Sequence, residues 1–316
     1  MSKAFWFVAA VLTGAGLSFA AAPIRVMLLD GESGGPYHKW ALISPVLKKQ
    51  LEETGLFAVD IVTAPPAGGD FHAFKPNFRN YAVVVWNYDA PDERWPADLK
   101  ESFEQYVREG GGFVSVHAAD NAFPNWPAFN EMIGVGGWRG RNEKNGPYWF
   151  FKDGKLTPDS SPGSARSHGL RTPYEVALRE KHPITEGLPP VWMHQGDELY
   201  AKLRGPGKNV TVLATAYSDP SNSGSGHDEP VLMAIAYGRG RVFHTTMGHD
   251  ISGLSSVDFV VTFQRGAEWA ATGRVTQKIP SSFPTGNSVS YRTDFAAMDP
   301  AYKAGLNPLD AAGSRR

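Results

Sequence analysis

Imidazole and carboxylate groups recur in this chain where apolar runs end. The stretch GGGFVSVHAAD, Gly110 to Asp120, carries Val114 and Val116 as buried strand residues and then His117, with small Ala118 and Ala119 behind it. Open α/β sheets bind ligands just beyond the carboxyl ends of their strands. An imidazole placed there can move a proton near neutral pH. RVFHTTMGHD repeats the pattern, with His244 inside the run and His249-Asp250 past its end. In HQGDELY, Asp197 and Glu198 are adjacent carboxylates, and their mutual repulsion if buried calls for a partner on one of them. Tyr37-His38 follows the first apolar run, and Asn87-Tyr88-Asp89 follows the third.

These positions give His117, His249, Glu198 and Asp197 as candidate catalytic groups. Tyr37, His38, Asn87, Asp89, Trp126, Trp138 and Tyr200 are candidate substrate contacts. Each also has a structural reading: His38 flanking a helix, Asn87 and Asp89 making a turn, Asp197 and Glu198 turning into an edge strand. His38, His117, His249 and Glu198 together would suit Zn²⁺ or a similar divalent ion. No two of them share a short ligand spacing such as HExxH, so only the fold could assemble that site. No nucleotide cofactor is expected. The glycine-led strand end at His117 resembles the nucleophile turn of α/β hydrolases and amidotransferases, yet no Ser or Cys stands there. A serine hydrolase using Ser115 or Ser33 is disfavoured because Ser115 lies within the run, on another face from the residues around His117.

The chain has no cysteine, which removes thiolate nucleophiles, thiolate metal sites and disulfides. Its net charge of −1 leaves no footprint for nucleic acid. Nine Trp are as useful to a core as to a sugar-handling surface. Residues 1–20 read as a cleavable export signal: Lys3, an apolar core from Ala4 to Leu17, and Ser18-Phe19-Ala20 as the cut site. A periplasmic or secreted protein is therefore expected, with no membrane span once the signal is removed and with self-assembly left open.

The elements that must position these groups alternate. Ile24 to Asp30, Val59 to Ala64, Tyr81 to Asp89 and FVSVHA read as strands. Helical spacing follows Trp40 and spans Asp98 to Gly112. This is the rhythm of a doubly wound, mostly parallel α/β sheet. About 121–171 reads as a loop-rich insertion over the sheet. Tyr174 to Glu180, Asp197 to Leu203, Val210 to Tyr217 and Pro230 to Gly248 read as further strands, the last with a hairpin at Tyr237–Gly240. Asp258 to Thr272 reads as a closing helix, and 280–316 as an extended or disordered tail.

GGGFVSVHAAD, HPITEGLP, DELY, YGRGRVFHTTMGHD and RGAEWA in this order resemble the ThuA-like family, named for trehalose utilisation, from about Ile24 to Gly273. The resemblance implies a fold similar to class I glutamine amidotransferases (flavodoxin-like) and a link to bacterial sugar metabolism, with oxidised sugars as substrates. It carries His117, Asp197, Glu198, Tyr200 and His249 as motif residues. Glutaminase chemistry does not carry over, since the triad's cysteine is missing. The expectation is an exported lyase, isomerase or hydrolase acting on a small carbohydrate or keto-sugar. The alternative is a non-catalytic glycan-binding protein stacking sugars on Trp126, Trp138, Tyr148 and Trp149.

Overall fold

The computed structural model describes residue 1, residues 22–34 and residues 37–295. Apart from Met1 the expected export signal lies outside the described residues, as does the chain after 295.

In chain order the elements are β1 (Ile24–Asp30), α1 (Trp40–Glu52), β2 (Phe57–Thr63), β3 (Val83–Trp86), α2 (Ala97–Arg108) and β4 (Gly112–Val116). Next come α3 (Pro127–Ile133), β5 (Tyr148–Lys152), β6 (Lys155–Asp159), β7 (Ser167–His168), β8 (Tyr174–Leu178), β9 (Val191–His194) and β10 (Tyr200–Ala201). The chain continues through β11 (Val210–Tyr217), β12 (Asp228–Tyr237), β13 (Gly240–Thr245), α4 (Ile251–Ser255) and α5 (Val257–Thr272). Eleven strands form one α/β sheet in the order β2-β1-β3-β4-β13-β12-β11-β8-β9, with the β5–β6 hairpin attached to β12.

The parallel expectation holds for β2, β1, β3, β4 and β13. The rest corrects it: β12, β11, β8 and β9 add on antiparallel, making the sheet mixed. The reason is the tight Gly238-Arg239 turn, which can join only antiparallel neighbours. Alternate strand residues feed two cores. Val26, Leu28, Val83, Val85 and Val114 pack with Val46, Leu47, Phe259 and Phe263 on one face. Met27, Leu29, Val84, Trp86 and Phe113 pack with Leu99, Phe103 and Phe129 on the other. The chain leaves β1 toward β2 on one side and β3 on the other, which opens a crevice at their carboxyl ends.

Two segments differ from expectation. Only Tyr200–Ala201 of Asp197 to Leu203 is strand, because the Asp197 carboxylate binds backbone N–H groups of other loops and Lys202 turns left-handed at φ 60°. The 121–171 region contains α3, the β5–β6 hairpin and β7. It is organised by the buried Arg141, which donates to the carbonyls of Asn121, Ala122 and Gly137 and to Asn130 Oδ1. Residues 280–295 pack back on the domain, where Val257 N–H donates to Ser290 O and Phe295 is buried.

Candidate functional site

His117 follows the last residue of β4 and takes φ 45°, a left-handed backbone uncommon outside glycine. The turn aims the ring over the carboxyl ends of the strands. Its Nδ1 donates to Thr246 O at 2.6 Å, which leaves the Nε2 lone pair pointing at His249 Nδ1, 3.2 Å away. His249 is carried past β13 by Gly248, whose φ of 102° suits only glycine and whose added Cβ would meet Phe259 at 2.7 Å. Glu198 Oε2 lies 3.1 Å from His249 Nδ1 and 3.9 Å from His117 Nε2. His38, from the loop after β1, completes the group with ring centroids 4.7 Å from His249 and 5.3 Å from His117.

One ligand atom from each of His38, His117, Glu198 and His249 lies within 4.8 Å of the others, and all four residues are buried. A tetrahedral ion with metal–nitrogen bonds of ~2 Å would hold its ligand atoms ~3.3 Å apart, so small side-chain shifts would close the set. The protonation states also fit. Burial, aided by the facing imidazoles, pushes His38 down to about 2 and His117 down to about 4. Burial alone would raise Glu198, but the His249 hydrogen bond and the surrounding histidines hold it well below the usual carboxylate range. Neutral imidazoles and an ionised carboxylate are the ligating forms. His38 turns Nε2 to the Tyr200 hydroxyl, 3.4 Å away, and its buried Nδ1 toward Gly34, where an added Cβ would lie 2.6 Å from it.

Asp197 stands beside this group. It accepts from the backbone N–H groups of Gly248 (2.6 Å), His249 (3.1 Å) and Glu198 (2.9 Å), and from His194 Nε2 (3.1 Å). With its oxygens so engaged it positions Glu198 and His249. Gly253 permits this approach, since a Cβ there would lie 2.4 Å from Asp197 Oδ2. His194 bridges Asp197 to Asp258 at the start of α5. Burial would lower its pKa, but the two carboxylates raise it to about 10.

The expected substrate contacts divide. Tyr200 is buried, stacks on His117 with centroids 4.1 Å apart, and has its hydroxyl 3.4 Å from His38 Nε2. Trp138 packs on Tyr200 at 4.3 Å. Asn87 instead ties β3 to α1 by donating to Trp40 O and Ser44 Oγ. Asp89 is buried and paired with Arg139, and burial raises it to about 6. Trp126 lies in the core against Phe129, Phe123 and Trp95, because α3 turns it inward. Tyr37 is exposed. Ser115 is fully buried within β4.

Two residues at the mouth escaped sequence reasoning. Arg171 donates to Glu198 Oε1 and Asp250 Oδ2, both at 2.8 Å, and also contacts His249 Nε2. His168 Nε2 lies 3.8 Å from Glu198 Oε1, and its Nδ1 donates to Gly169 O. Both sit in an aperiodic stretch, so no pattern marked them. His168, Asp250 and Arg171 keep 29%, 27% and 12% side-chain exposure, which makes them the solvent edge of an otherwise buried centre.

Comparison with known proteins adds the ancestry. A crystal structure of a ThuA-like protein from Parabacteroides merdae ATCC 43184 is 45% identical, with a TM-score of 0.83, over 87% of this chain and 99% of that one. A ThuA-like protein from Bacteroides uniformis ATCC 8492 is 20% identical, with a TM-score of 0.53, over 83% of this chain and 98% of that one, a likeness of fold alone. No curated protein matches the chain. The family described as ThuA, trehalose utilisation, matches residues 25–270, and the chain belongs to that family.

Proposed function

We propose that the chain is a carbohydrate-active enzyme whose centre is a divalent ion held by His38, His117, Glu198 and His249. The carrying observation is the convergence of these four buried side chains from four separate loops within 4.8 Å. Membership of a family described by trehalose utilisation supports the substrate class. When bound, the ion would polarise a carbonyl or hydroxyl oxygen of a sugar or keto-sugar.

The chain's own groups at the mouth do the remaining work. Arg171 orients substrate oxygens with its guanidinium. His168, whose Nε2 is left free by the bond from Nδ1 to Gly169 O, moves a proton at the carbon beside the polarised group. Trp138, half-buried and backed by the buried Tyr200, offers the apolar face against which a sugar ring rests. Proton transfer at that carbon serves elimination and isomerisation alike. A purely glycan-binding role is less well supported, because Trp126 and Tyr148 are buried and unavailable for stacking. Export to the periplasm or exterior belongs to the same proposal and is checked by sequencing the N-terminus of secreted protein.

Elemental analysis of purified native protein and of a His117→Ala, His249→Ala double variant tests the centre. One equivalent of a divalent metal in the native protein, lost in the variant, is expected. No metal in the native protein, and none taken up on addition, would overturn the metal centre.

A further inference from the structure

Beside the cluster, on the other side of the 168–172 segment, lies a cleft of about 380 Å³, within the range of small-ligand sites. His168 and Arg171 face the cluster, whereas Gly169, Leu170 and Thr172 line the cleft. Leu199 does the same from the second wall, next to Glu198. The floor is set in place: Arg179 donates to Thr215 Oγ1 at 2.7 Å, pairs with Asp228 at 3.2 Å and stacks over Phe151. At the rim Tyr217 is 53% exposed, an aromatic ring without a burial reason to be there.

The lining defines the ligand. Glu175, Asp219 and Asp228 outnumber the one guanidinium, so a phosphorylated or carboxylated ligand would be repelled. A cation finds few open partners, because Asp228 is committed to Arg179 and Asp219 caps the turn at Ser221. What remains is the Asn222 amide and the Thr172 hydroxyl, joined by one long bond of 3.4 Å that leaves each with hydrogen-bonding capacity to spare, beside an aromatic face. That combination matches a neutral polyhydroxylated ring, whose hydroxyls need hydrogen bonds and whose C–H face packs on an aromatic ring. We infer that this cleft binds a neutral saccharide unit, as a subsite sharing one wall with the histidine cluster. The inference does not depend on an ion at the cluster.

Isothermal titration of the native chain with glucose, maltose, cellobiose and trehalose tests it, alongside Tyr217→Ala and Glu198→Gln. At least one of these sugars should bind the native chain. Tyr217→Ala should weaken that binding about tenfold, in line with the upper end of an aromatic contact, while circular dichroism stays native. Glu198→Gln should change the affinity less than twofold. Binding of none of the four sugars would overturn the inference. So would affinity lost in Glu198→Gln but kept in Tyr217→Ala, which would place the sugar at the cluster. Tighter binding of glucose 6-phosphate than of glucose would also sink the neutral-ligand argument. Elemental analysis is read separately, so failure of the metal centre and failure of the cleft are distinguishable.

Discussion

Arg171 places a permanent positive charge on Glu198 and Asp250 and blocks one ring nitrogen of His249. The guanidinium holds Glu198 Oε1 and His249 Nε2, behind the Oε2 and Nδ1 atoms that face His117, so its charge would repel a divalent ion in the cluster. Arg171→Gln should therefore bind Zn²⁺ at least tenfold more tightly in a chelator competition, while turnover of a keto-sugar falls. Unchanged Zn²⁺ affinity would show that Arg171 does not contest the site. Gly248 makes a second residue-scale prediction. Gly248→Ala adds a Cβ at φ 102°, 2.7 Å from Phe259, and should cost about 2–3 kcal/mol in urea unfolding. A loss under ~0.5 kcal/mol would mean the loop relaxes freely. His117 was legible in the sequence as the first ionisable group after an apolar run, and His38, Glu198 and His249 only as polar groups in the loops that follow such runs. Arg171, His168 and the bridging role of His194 were not, since their meaning lies in bonds to residues distant in the chain.

Among the elements, β12 joins the parallel half of the sheet to the antiparallel half and also carries the β5–β6 hairpin. Glu229 on β12 fastens that hairpin, accepting from the hydroxyls of Tyr148 and Ser225. Burial raises its carboxyl to about 7. A carboxyl whose folded pKa exceeds its unfolded value is stabilising below the unfolded pKa, near 4.5, and that stability is lost as pH rises through about 7. The native chain should therefore lose on the order of 3 kcal/mol between pH 4.5 and 8 from this group. Glu229→Gln should flatten that part of the pH–stability curve. An identical slope in the variant would assign the dependence to other groups. Strands and long helices were readable from periods of two and 3.6 residues. The 197–203 segment misled because its alternation imitates a strand while Asp197 is spent on loop N–H groups. The 121–171 region was opaque because buried Arg141, rather than an apolar stripe, orders it.

Across the whole molecule, β1, β4 and β13 deliver three histidines from the parallel half, and the loop between β9 and β10 delivers Glu198 from the far side. A ligand that binds only this finished arrangement stabilises the fold by mass action, about 2.7 kcal/mol at a hundred times its dissociation constant. Thermal unfolding of chelator-treated protein should shift upward on adding Zn²⁺ if the proposed centre holds an ion, and the shift should vanish in His117→Ala. An equal shift in both would place the ion elsewhere.

The order of the ligands along the chain also fixes an order in time. His38 and His117 exist early in synthesis, Glu198 follows, and His249 emerges only when nearly the whole sheet has been made. A half-made chain offers two imidazoles and no enclosure, too little to retain an ion. Capture of the proposed ion would thus be the last act of maturation, and its presence would certify that both halves of the sheet have met.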